Sequence, residues 1–436
     1  MQAVIMAGGK GTRLSSITND EIPKPMVRLN GKPILEHQLE VLKANGITEY
    51  FFIVGHLGEK IEEYFGDGSK WGVHITYIHE DMPLGTAGAL YYLKGRVQDD
   101  FFLVFGDLIF DISVERFHAF HRSHNAQISL LVHPNSHPFD SDLIVLDEEQ
   151  RAVRCDSKNN ERDYYYRNIV NAGLYMVHAS VLDRIAEPVK TDLEKGIIFP
   201  MMEADEGVFG YCTSEFVKDV GTPERLRATE ADLSNGIVHA KNLDQPQKAI
   251  FLDRDGTINK YVGLISRPEQ LELEDMAAEA IAAINRSEYL AIVITNQPVV
   301  ARGMCSISDV EEIHDKMETL LGREGAYVDA IKFCPHHPDK GYPEENPDYK
   351  IECSCRKPKP GMILEAAEQY HIDLTKSWMI GDCTTDVQTG INAGTRTILV
   401  QTGEGGEDKK QDVTPDAIKT DIRDAVTYIL KQNSSK

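Results

Sequence analysis

Ala249-Ile250-Phe251-Leu252-Asp253-Arg254-Asp255-Gly256-Thr257 decides the architecture of the second half of the chain. Four consecutive apolar residues bounded by polar ones fit a strand buried on both faces, as in a parallel sheet covered by helices. The strand delivers two aspartates, two positions apart, onto a glycine turn. Carboxylates just past the C-terminal end of a parallel strand lie where such sheets bind ligands. Two of them can share one Mg²⁺, and one can attack phosphorus while the other moves the leaving-group proton. Comparable apolar runs follow at Leu290 to Thr295, Ala330 to Phe333, Trp378 to Ile380 and Thr397 to Val400. A separate series precedes them: Ala3 to Met6, Phe51 to Val54, Val73 to Ile78 and Phe101 to Phe105, with helical spacing between, as over Ile34 to Asn45. The alternation predicts α/β layers with largely parallel sheets, twice over.

The chain has 436 residues, a length for two or three domains, and 46 basic against 69 acidic residues give a net charge of −23. Such a charge repels phosphate backbones and argues against a nucleic-acid binder. An anionic substrate must be held by local cations or metal ions. No stretch approaches the ~18 to 20 apolar residues of a membrane helix. The opening Met1-Gln2-Ala3-Val4 lacks a basic leader region, so no signal peptide is expected. The seven cysteines (155, 212, 305, 334, 353, 355 and 383) are odd in number, with three clustered. They read as reduced thiols plus a metal site, which places the chain in the cytoplasm. The polar stretch 236–247 reads as a linker, giving domains 1–235 and 248–436.

After the first strand comes Ala7-Gly8-Gly9-Lys10-Gly11-Thr12-Arg13-Leu14. Glycines let a backbone turn tightly and bring N–H groups to an anion. Pro23-Lys24-Pro25 fixes a lysine between two prolines, and Arg13 and Lys24 together can neutralise a triphosphate. Gly85-Thr86-Ala87-Gly88 is a second small-residue turn, suited to a flat base or sugar. Gly106-Asp107 ends another strand, and Asp219-Val220-Gly221-Thr222-Pro223 supplies a second aspartate. Tyr164-Tyr165-Tyr166 reads as an ordinary half-buried strand.

In this order the motifs resemble the sugar-1-phosphate nucleotidyltransferase family over residues 1 to about 235. The resemblance implies a Rossmann-like nucleotidyltransferase fold and transfer of a nucleotidyl group to a sugar 1-phosphate with release of pyrophosphate. It implies that Asp107 and Asp219 hold Mg²⁺, that Arg13 and Lys24 contact phosphates, and that Gly8, Gly9, Gly11, Thr12, Gly85, Thr86 and Gly88 shape the nucleotide site. Asn171, Glu194 and Lys195 would contact the sugar phosphate. The chemistry agrees, since two anions must meet and charge neutralisation does most of the work.

In the second half, Thr295-Asn296-Gln297 ends a strand, Lys357 follows in Arg356-Lys357-Pro358, and Met379-Ile380-Gly381-Asp382 opens a loop that includes Asp386. With the opening aspartates, this set resembles the haloacid-dehalogenase-type phosphatases. The resemblance implies that Asp253 is the nucleophile and that Asp255 is the general acid/base, giving Mg²⁺ its carbonyl. Thr295 and Lys357 would stabilise the phosphoryl group, Asp382 would complete the Mg²⁺ site, and Asp386 would brace the loop. About forty residues between Thr257 and Thr295 leave no room for a large cap domain.

Cys334, His336, Cys353 and Cys355 form a Cys₃His set, and four closed ligands suit structural Zn²⁺. His337 is left out of the set, and the remaining cysteines read as plain thiols. Beside Arg356-Lys357, and with Ala301-Arg302-Gly303, the zinc loop is similar to that of heptose 1,7-bisphosphate 7-phosphatases and histidinol-phosphate phosphatases over 248 to about 405. That likeness implies that Asn296, Gln297 and Arg356 contact substrate. Pro298-Val299 departs from the small residue and glycine usual there.

A 7-phosphatase makes heptose 1-phosphate and a nucleotidyltransferase consumes it. The joint expectation is a bifunctional enzyme that activates heptose for surface glycans, with GTP as first choice of nucleotide and small molecules as partners. The alternatives are a mannose- or glucose-1-phosphate nucleotidyltransferase fused to a phosphatase of another pathway, and a sugar-nucleotide sensor with degenerate sites.

Overall fold

The computed structural model describes residues 1–9, 14–19, 21–341 and 344–433. The chain folds into two compact units. Unit 1 comprises 1–133, 142–157 and 169–242, and unit 2 comprises 134–141, 158–168 and 243–436. Both are α/β, as the strand–helix alternation predicts.

Unit 1 is built on a nine-stranded sheet. Its strands are β1 (Gln2–Met6), β2 (Glu49–Val54), β3 (His74–His79), β4 (Asp100–Phe105), β6 (Ile128–His133), β7 (Leu143–Leu146), β8 (Ala152–Asp156), β9 (Val170–His178) and β10 (Val208–Cys212). A separate two-stranded sheet pairs β5 (Leu108–Asp111) with β11 (Phe216–Asp219). The main order is β8-β7-β9-β4-β1-β2-β3, with β6 joining β9 to β10. β4, β1, β2 and β3 run parallel. Successive strand residues point to opposite faces, and both faces are covered. Val4, Phe51 and Ile53 enter one core, while Ala3, Ile5, Phe52 and Val54 enter the other. β1 lies between β2 and β4, so the strand order reverses there. The loops after β1 and β4 therefore open at a topological switch point. Helix α1 (Ile34–Ala44) packs its apolar side on this sheet, and α2 (Pro223–Ser234) follows β11 with Thr222 capping its first turn.

Unit 2 holds a six-stranded, fully parallel sheet. Its strands are β12 (Lys248–Leu252), β13 (Tyr289–Asn296), β14 (Ala330–Cys334), β15 (Trp378–Gly381), β16 (Arg396–Val400) and β17 (Ala417–Lys419), in the order β14-β13-β12-β15-β16-β17. The switch point lies between β12 and β15, and Asp253 and Asp382 follow those two strands directly. The long helix α3 (Ile307–Arg323) carries a Ser306 capping box, and α4 (Thr384–Ala393) follows β15. Among the described residues nothing between Thr257 and Thr295 forms a cap domain; that span holds loops, a helical turn at Pro268–Gln270, the helix Ala277–Asn285 and most of β13.

The stretch 236–247, a linker by composition, is ordered at its start. Ile237–Ala240 is helical, and Val238 is buried against Leu226 and Val220 in unit 1. The change of unit falls at 242/243. Tyr164-Tyr165-Tyr166 is not the strand expected. The backbone of Tyr166 bonds to one side chain instead: its N–H donates to Thr319 Oγ1 (3.0 Å), and that hydroxyl donates to its carbonyl (3.2 Å). The Asn168 N–H reaches Glu318 Oε2 at 3.4 Å, and Arg162 donates to the Pro138 and Ser141 carbonyls. Gly322 is needed where Pro138 lies on α3, because a Cβ there would meet the proline ring at 2.5 Å. No helix among the described residues is long and apolar enough to cross a membrane.

Under these segments Glu318 is buried, and burial raises its carboxyl to about 7 even though Arg167 opposes the rise. A carboxyl whose folded pKa lies above its unfolded value binds its proton more tightly when folded. Its contribution to stability is therefore present at low pH and lost as pH rises from 4.5 to about 7. Glu318→Gln should remove this loss. Unfolding measured at pH 5 and pH 7 should show the variant gaining about 1–3 kcal/mol relative to the parent at the higher pH.

Candidate active sites

The unit 2 site is assembled at three strand ends. Asp253 follows β12, Thr295 and Asn296 end β13, and Asp382 follows β15. Lys357 arrives from a loop and is fixed by a reciprocal amide clamp: its N–H donates to Asn296 Oδ1 (3.0 Å), and Asn296 Nδ2 donates to its carbonyl (3.2 Å). The Lys357 ammonium lies 2.7 Å from Asp253 Oδ1 and 2.6 Å from Asp386 Oδ1, and donates to the Ile294 carbonyl at 3.0 Å. Burial acts to lower this ammonium, but the two carboxylates outweigh it and hold the lysine above its ordinary value. Burial and Asp386 raise Asp253 to about 7, and burial with Asp253 nearby raises Asp382 to about 7. Like charges are thus held together out of water with one cation on one side. On the other side Asp382 Oδ1 is buried without a hydrogen-bond partner. That orphaned oxygen beside Asp253 fits a hard divalent cation with oxygen ligands. Asp386 caps α4 by accepting from the Cys383 N–H (3.1 Å), which agrees with a bracing role.

Asp255 is held by three side chains. Arg254 donates to both of its oxygens (3.0 and 2.9 Å), Asn259 donates to Oδ1 (3.1 Å) and Gln297 to Oδ2 (2.9 Å). Gln297 also donates to Thr295 Oγ1 at 2.9 Å, so Gln297 ties the acid/base candidate to the phosphoryl-binding candidate. Arg254 is fully buried. Val299 and Val300 are buried with Val310, so the turn after Gln297 is held by apolar packing rather than by a glycine.

Sequence reasoning missed the loop Thr402-Gly403-Glu404-Gly405-Gly406, although its glycine density after a strand was the available signal. Thr402 donates to the Gly256 carbonyl (2.6 Å), and the N–H groups of Glu404 and Gly406 donate to the Asp382 carboxylate and carbonyl (both 2.7 Å). Gly403 has φ +56°, and a Cβ there would meet Asp382 Oδ2 at 2.1 Å.

Cys334, His336, Cys353 and Cys355 converge as their spacing predicts, with donor atoms all within 4.8 Å of one another. The sulfur of Cys334 lies 3.6 Å from that of Cys353 and 3.1 Å from that of Cys355, and His336 Nδ1 lies 3.4 Å from the Cys355 sulfur. Metal–sulfur bonds of ~2.3 Å in a tetrahedron separate ligand atoms by roughly 3.8 Å, so the set needs only a small expansion to close on an ion. Arg356 Nη1 donates to the His336 carbonyl (3.0 Å), which links the cluster to the residue before Lys357. His337 is outside the cluster, its Nδ1 accepting from the Asp339 N–H.

In unit 1, Gly11, Thr12 and Arg13 lie outside the described residues. Lys24 is buried and ion-paired with Asp107, and lies 3.8 Å from Asp219 Oδ1. Arg225 on α2, not foreseen from sequence, donates to Asp219 Oδ2 at 2.7 Å. Asp219 Oδ1 has no hydrogen-bond partner, and the carboxylates of Asp219, at the end of β11, and of Asp107, in the turn before β5, suit Mg²⁺. Asn171 donates to Glu194 Oε1 (2.6 Å), and the Tyr175 hydroxyl donates to the same oxygen (3.0 Å). Glu194 is thus turned inward, and burial raises its carboxyl. Lys195 is exposed. Gly9 has open space where a Cβ would stand, which leaves its backbone approachable, whereas Gly8 lies against Glu80 Oε2. The turn at 85–88 has a structural use that the sequence did not reveal. Cβ atoms at Gly85 and Gly88 would meet the carbonyls of Thr191 and Val189 at 2.4 and 2.1 Å, and Thr86 Oγ1 accepts from the Leu193 N–H. The small residues let this turn pack on the chain that carries Glu194. Glu80, also missed, accepts from the Leu84 N–H at 3.0 Å, and burial raises its carboxyl.

The nucleotidyl transferase family profile matches residues 2–236, more than half of the chain, and a HAD-hydrolase-like profile matches 354–425. The chain belongs to the nucleotidyl transferase family in its first half and to the HAD-like hydrolases in its second. Over 198 residues, 43% of this chain and 98% of that protein, it is 39% identical to the D-glycero-D-manno-heptose-1,7-bisphosphate 7-phosphatase of Chlorobaculum tepidum. Over 240 residues, 54% of this chain, it is 34% identical to the mannose-1-phosphate guanylyltransferase of Mycobacterium tuberculosis, and it spans only 66% of that relative's length. A crystal structure of D,D-heptose 1.7-bisphosphate phosphatase from B. bronchiseptica, complexed with magnesium and phosphate, is similar over 43% of this chain and 99% of that one (33% identity, TM-score 0.38). Both families are enzymes, one of nucleotidyl transfer and the other of phosphomonoester hydrolysis.

Because Gly403 admits no side chain beside Asp382, Gly403→Ala should displace that carboxylate. The expected result is a phosphatase slowed by at least ~10-fold with nucleotidyl transfer unchanged, measured on the same preparation.

Proposed function

We propose that this chain is a bifunctional enzyme that removes the 7-phosphate of D-glycero-D-manno-heptose 1,7-bisphosphate and then joins the heptose 1-phosphate to a nucleoside triphosphate. One observation carries the reading: Lys357 bound to Asp253 at the switch point of a phosphatase sheet, on a chain whose first half belongs to the nucleotidyl transferases. The similar phosphatases act on the 1,7-bisphosphate, and the product of that step is a sugar 1-phosphate, the acceptor class of the other half. The related guanylyltransferase acts on mannose 1-phosphate, which shares its ring configuration with a manno-heptose.

In the phosphatase, Asp253 attacks the 7-phosphorus to form an aspartyl phosphate. Lys357 and Thr295 hold the phosphoryl oxygens, and Asp255 protonates the leaving sugar oxygen and then takes a proton from the attacking water. Mg²⁺ held by Asp253, Asp382 and the Asp255 carbonyl supplies charge neutralisation. Asn296 and Gln297 hold Lys357 and Asp255 in place, and Arg356, anchored on the zinc loop, meets the substrate's sugar. In the transferase, the glycine loop of Gly8, Gly9 and Gly11 cradles the triphosphate, with Arg13 and Lys24 balancing its charge. Asp107 and Asp219 hold Mg²⁺. Asn171 and Glu194 accept and orient the sugar hydroxyls, with Lys195 near the sugar phosphate. GTP is the preferred donor. The Glu80 carboxylate beside Gly8 is an acceptor pair suited to the adjacent N1–H and 2-amino donors of guanine. Zn²⁺ on Cys334, His336, Cys353 and Cys355 fixes the loop that leads to Arg356 and Lys357, and its thiolates suit a reducing cytoplasm.

Each site has its own carboxylates. Asp253→Asn should abolish phosphate release, leaving pyrophosphate release from heptose 1-phosphate and GTP nearly intact, and Asp107→Ala should do the reverse. A second phosphate in a transferase pocket built of Asn171 and Glu194 would be an uncompensated dianion costing several kcal/mol. The Asp253→Asn protein should therefore make nucleotide-heptose from heptose 1-phosphate but not from the bisphosphate. Comparable activation of the bisphosphate by that variant would refute the order.

The zinc assignment is checked by elemental analysis. The purified chain should carry about one Zn²⁺, and Cys353→Ser should lower that content and slow the phosphatase, leaving the transferase unchanged. Full phosphatase rate in zinc-free protein would exclude the structural role.

A further inference from the structure

The two carboxylate sites balance their charge differently. In unit 2 four carboxylates (Asp253, Asp255, Asp382 and Asp386) face two buried cations, Lys357 and Arg254. Lys357 ties Asp253 to Asp386, and Asp382 Oδ1 stays without a partner. The site is net negative, with a free oxygen. In unit 1 two carboxylates face two cations among the described residues. Lys24 is paired with Asp107 and lies 3.8 Å from Asp219 Oδ1, and Arg225 holds Asp219 Oδ2. No negative excess remains there to draw in a bare divalent ion. A Mg²⁺ at ~2.0–2.1 Å from one oxygen of each carboxylate would share the space between them with the Lys24 ammonium. Two positive charges at such a distance repel each other, and with Lys24 buried and the two carboxylates half-buried, water screens them only in part.

We propose that Lys24 is the resident cation of the unit 1 site: it holds Asp107 and Asp219 together until triphosphate oxygens draw it away, so that divalent-metal binding there is coupled to nucleotide. The proposal rests on the nucleotidyl-transfer reading above. A lysine suits the part, being a compact charge on a flexible stem. Its backbone is fixed between Pro23 and Pro25, with the Met26 N–H on the Pro23 carbonyl at 2.8 Å, so the side chain can move without the chain. The unit 2 site, with four carboxylates to two cations, takes its metal without substrate.

The test titrates Mn²⁺, with the free ion counted by electron paramagnetic resonance, into the full chain carrying Asp382→Asn to disable the unit 2 site. Thermal unfolding verifies that each variant is folded. Without nucleotide, adding Lys24→Met should tighten binding of one Mn²⁺ at least tenfold over the Lys24 parent. Lys24→Gln, polar and uncharged, should show the same gain, and Lys24→Arg should show none. Asp107→Asn should abolish the gain. If Lys24→Met and Lys24→Gln bind Mn²⁺ no more tightly than the parent while binding still depends on Asp107, the proposal is overturned and the metal assignment stands. If no variant shows Asp107-dependent Mn²⁺, with or without nucleoside triphosphate, both fall.

Discussion

The burial of Lys357 between Asp253 and Asp386 is the contact on which the unit 2 site depends. An ammonium out of water is stable only with close anions, and two carboxylates out of water need a cation between them. Each partner is placed by a different element: Asp253 by the end of β12, Asp386 by the first turn of α4 and Lys357 by the loop that Asn296 clamps. Removing Lys357 leaves two buried carboxylates with no cation between them. The sheet order that brings β12 beside β15 is therefore a condition of the electrostatics as much as of the packing.

The same balance explains why flanking glycines matter. Gly256 and Gly403 both border Asp382, where a Cβ would strike its carboxylate. Positive φ and absent side chains let two loops close on one oxygen pair without a clash. The Glu404 N–H then orients a carboxylate that already carries a raised proton affinity, and the Gly406 N–H holds the Asp382 backbone carbonyl.

Much of this was legible in the chain. The strands came from apolar runs, because both faces of each sheet are covered and period-two patterning collapses to continuous hydrophobicity. Asp253 and Asp382 were legible as candidates because they directly follow buried strands, and Lys357 because it stands in the short Arg356-Lys357-Pro358 motif. The convergence of Cys334, His336, Cys353 and Cys355 was legible from spacing alone. Other features depend on long-range contacts that no local pattern encodes. Glu80 and Arg225 meet the unit 1 site through tertiary placement, and neither sits in a motif. Gly85 and Gly88 read as a ligand surface, and the contact that their missing side chains give the backbone at 189–191 was not legible. Tyr164 to Tyr166 looked like a strand because aromatic residues favour strands, yet the Tyr166 backbone bonds to the Thr319 side chain and joins no ladder.

Unit 2 is not a contiguous length of sequence. Residues 134–141 and 158–168, encoded within the first half, supply the layer that covers Thr319 and Glu318 on α3. No single cut in the polypeptide therefore yields both units whole. A fragment beginning at Leu243 keeps every catalytic candidate of the phosphatase and still leaves a helix face stripped, with Glu318 and Gly322 open to water. Once such segments are exchanged, dividing the chain at its linker parts the activities only by stripping one unit of its cover.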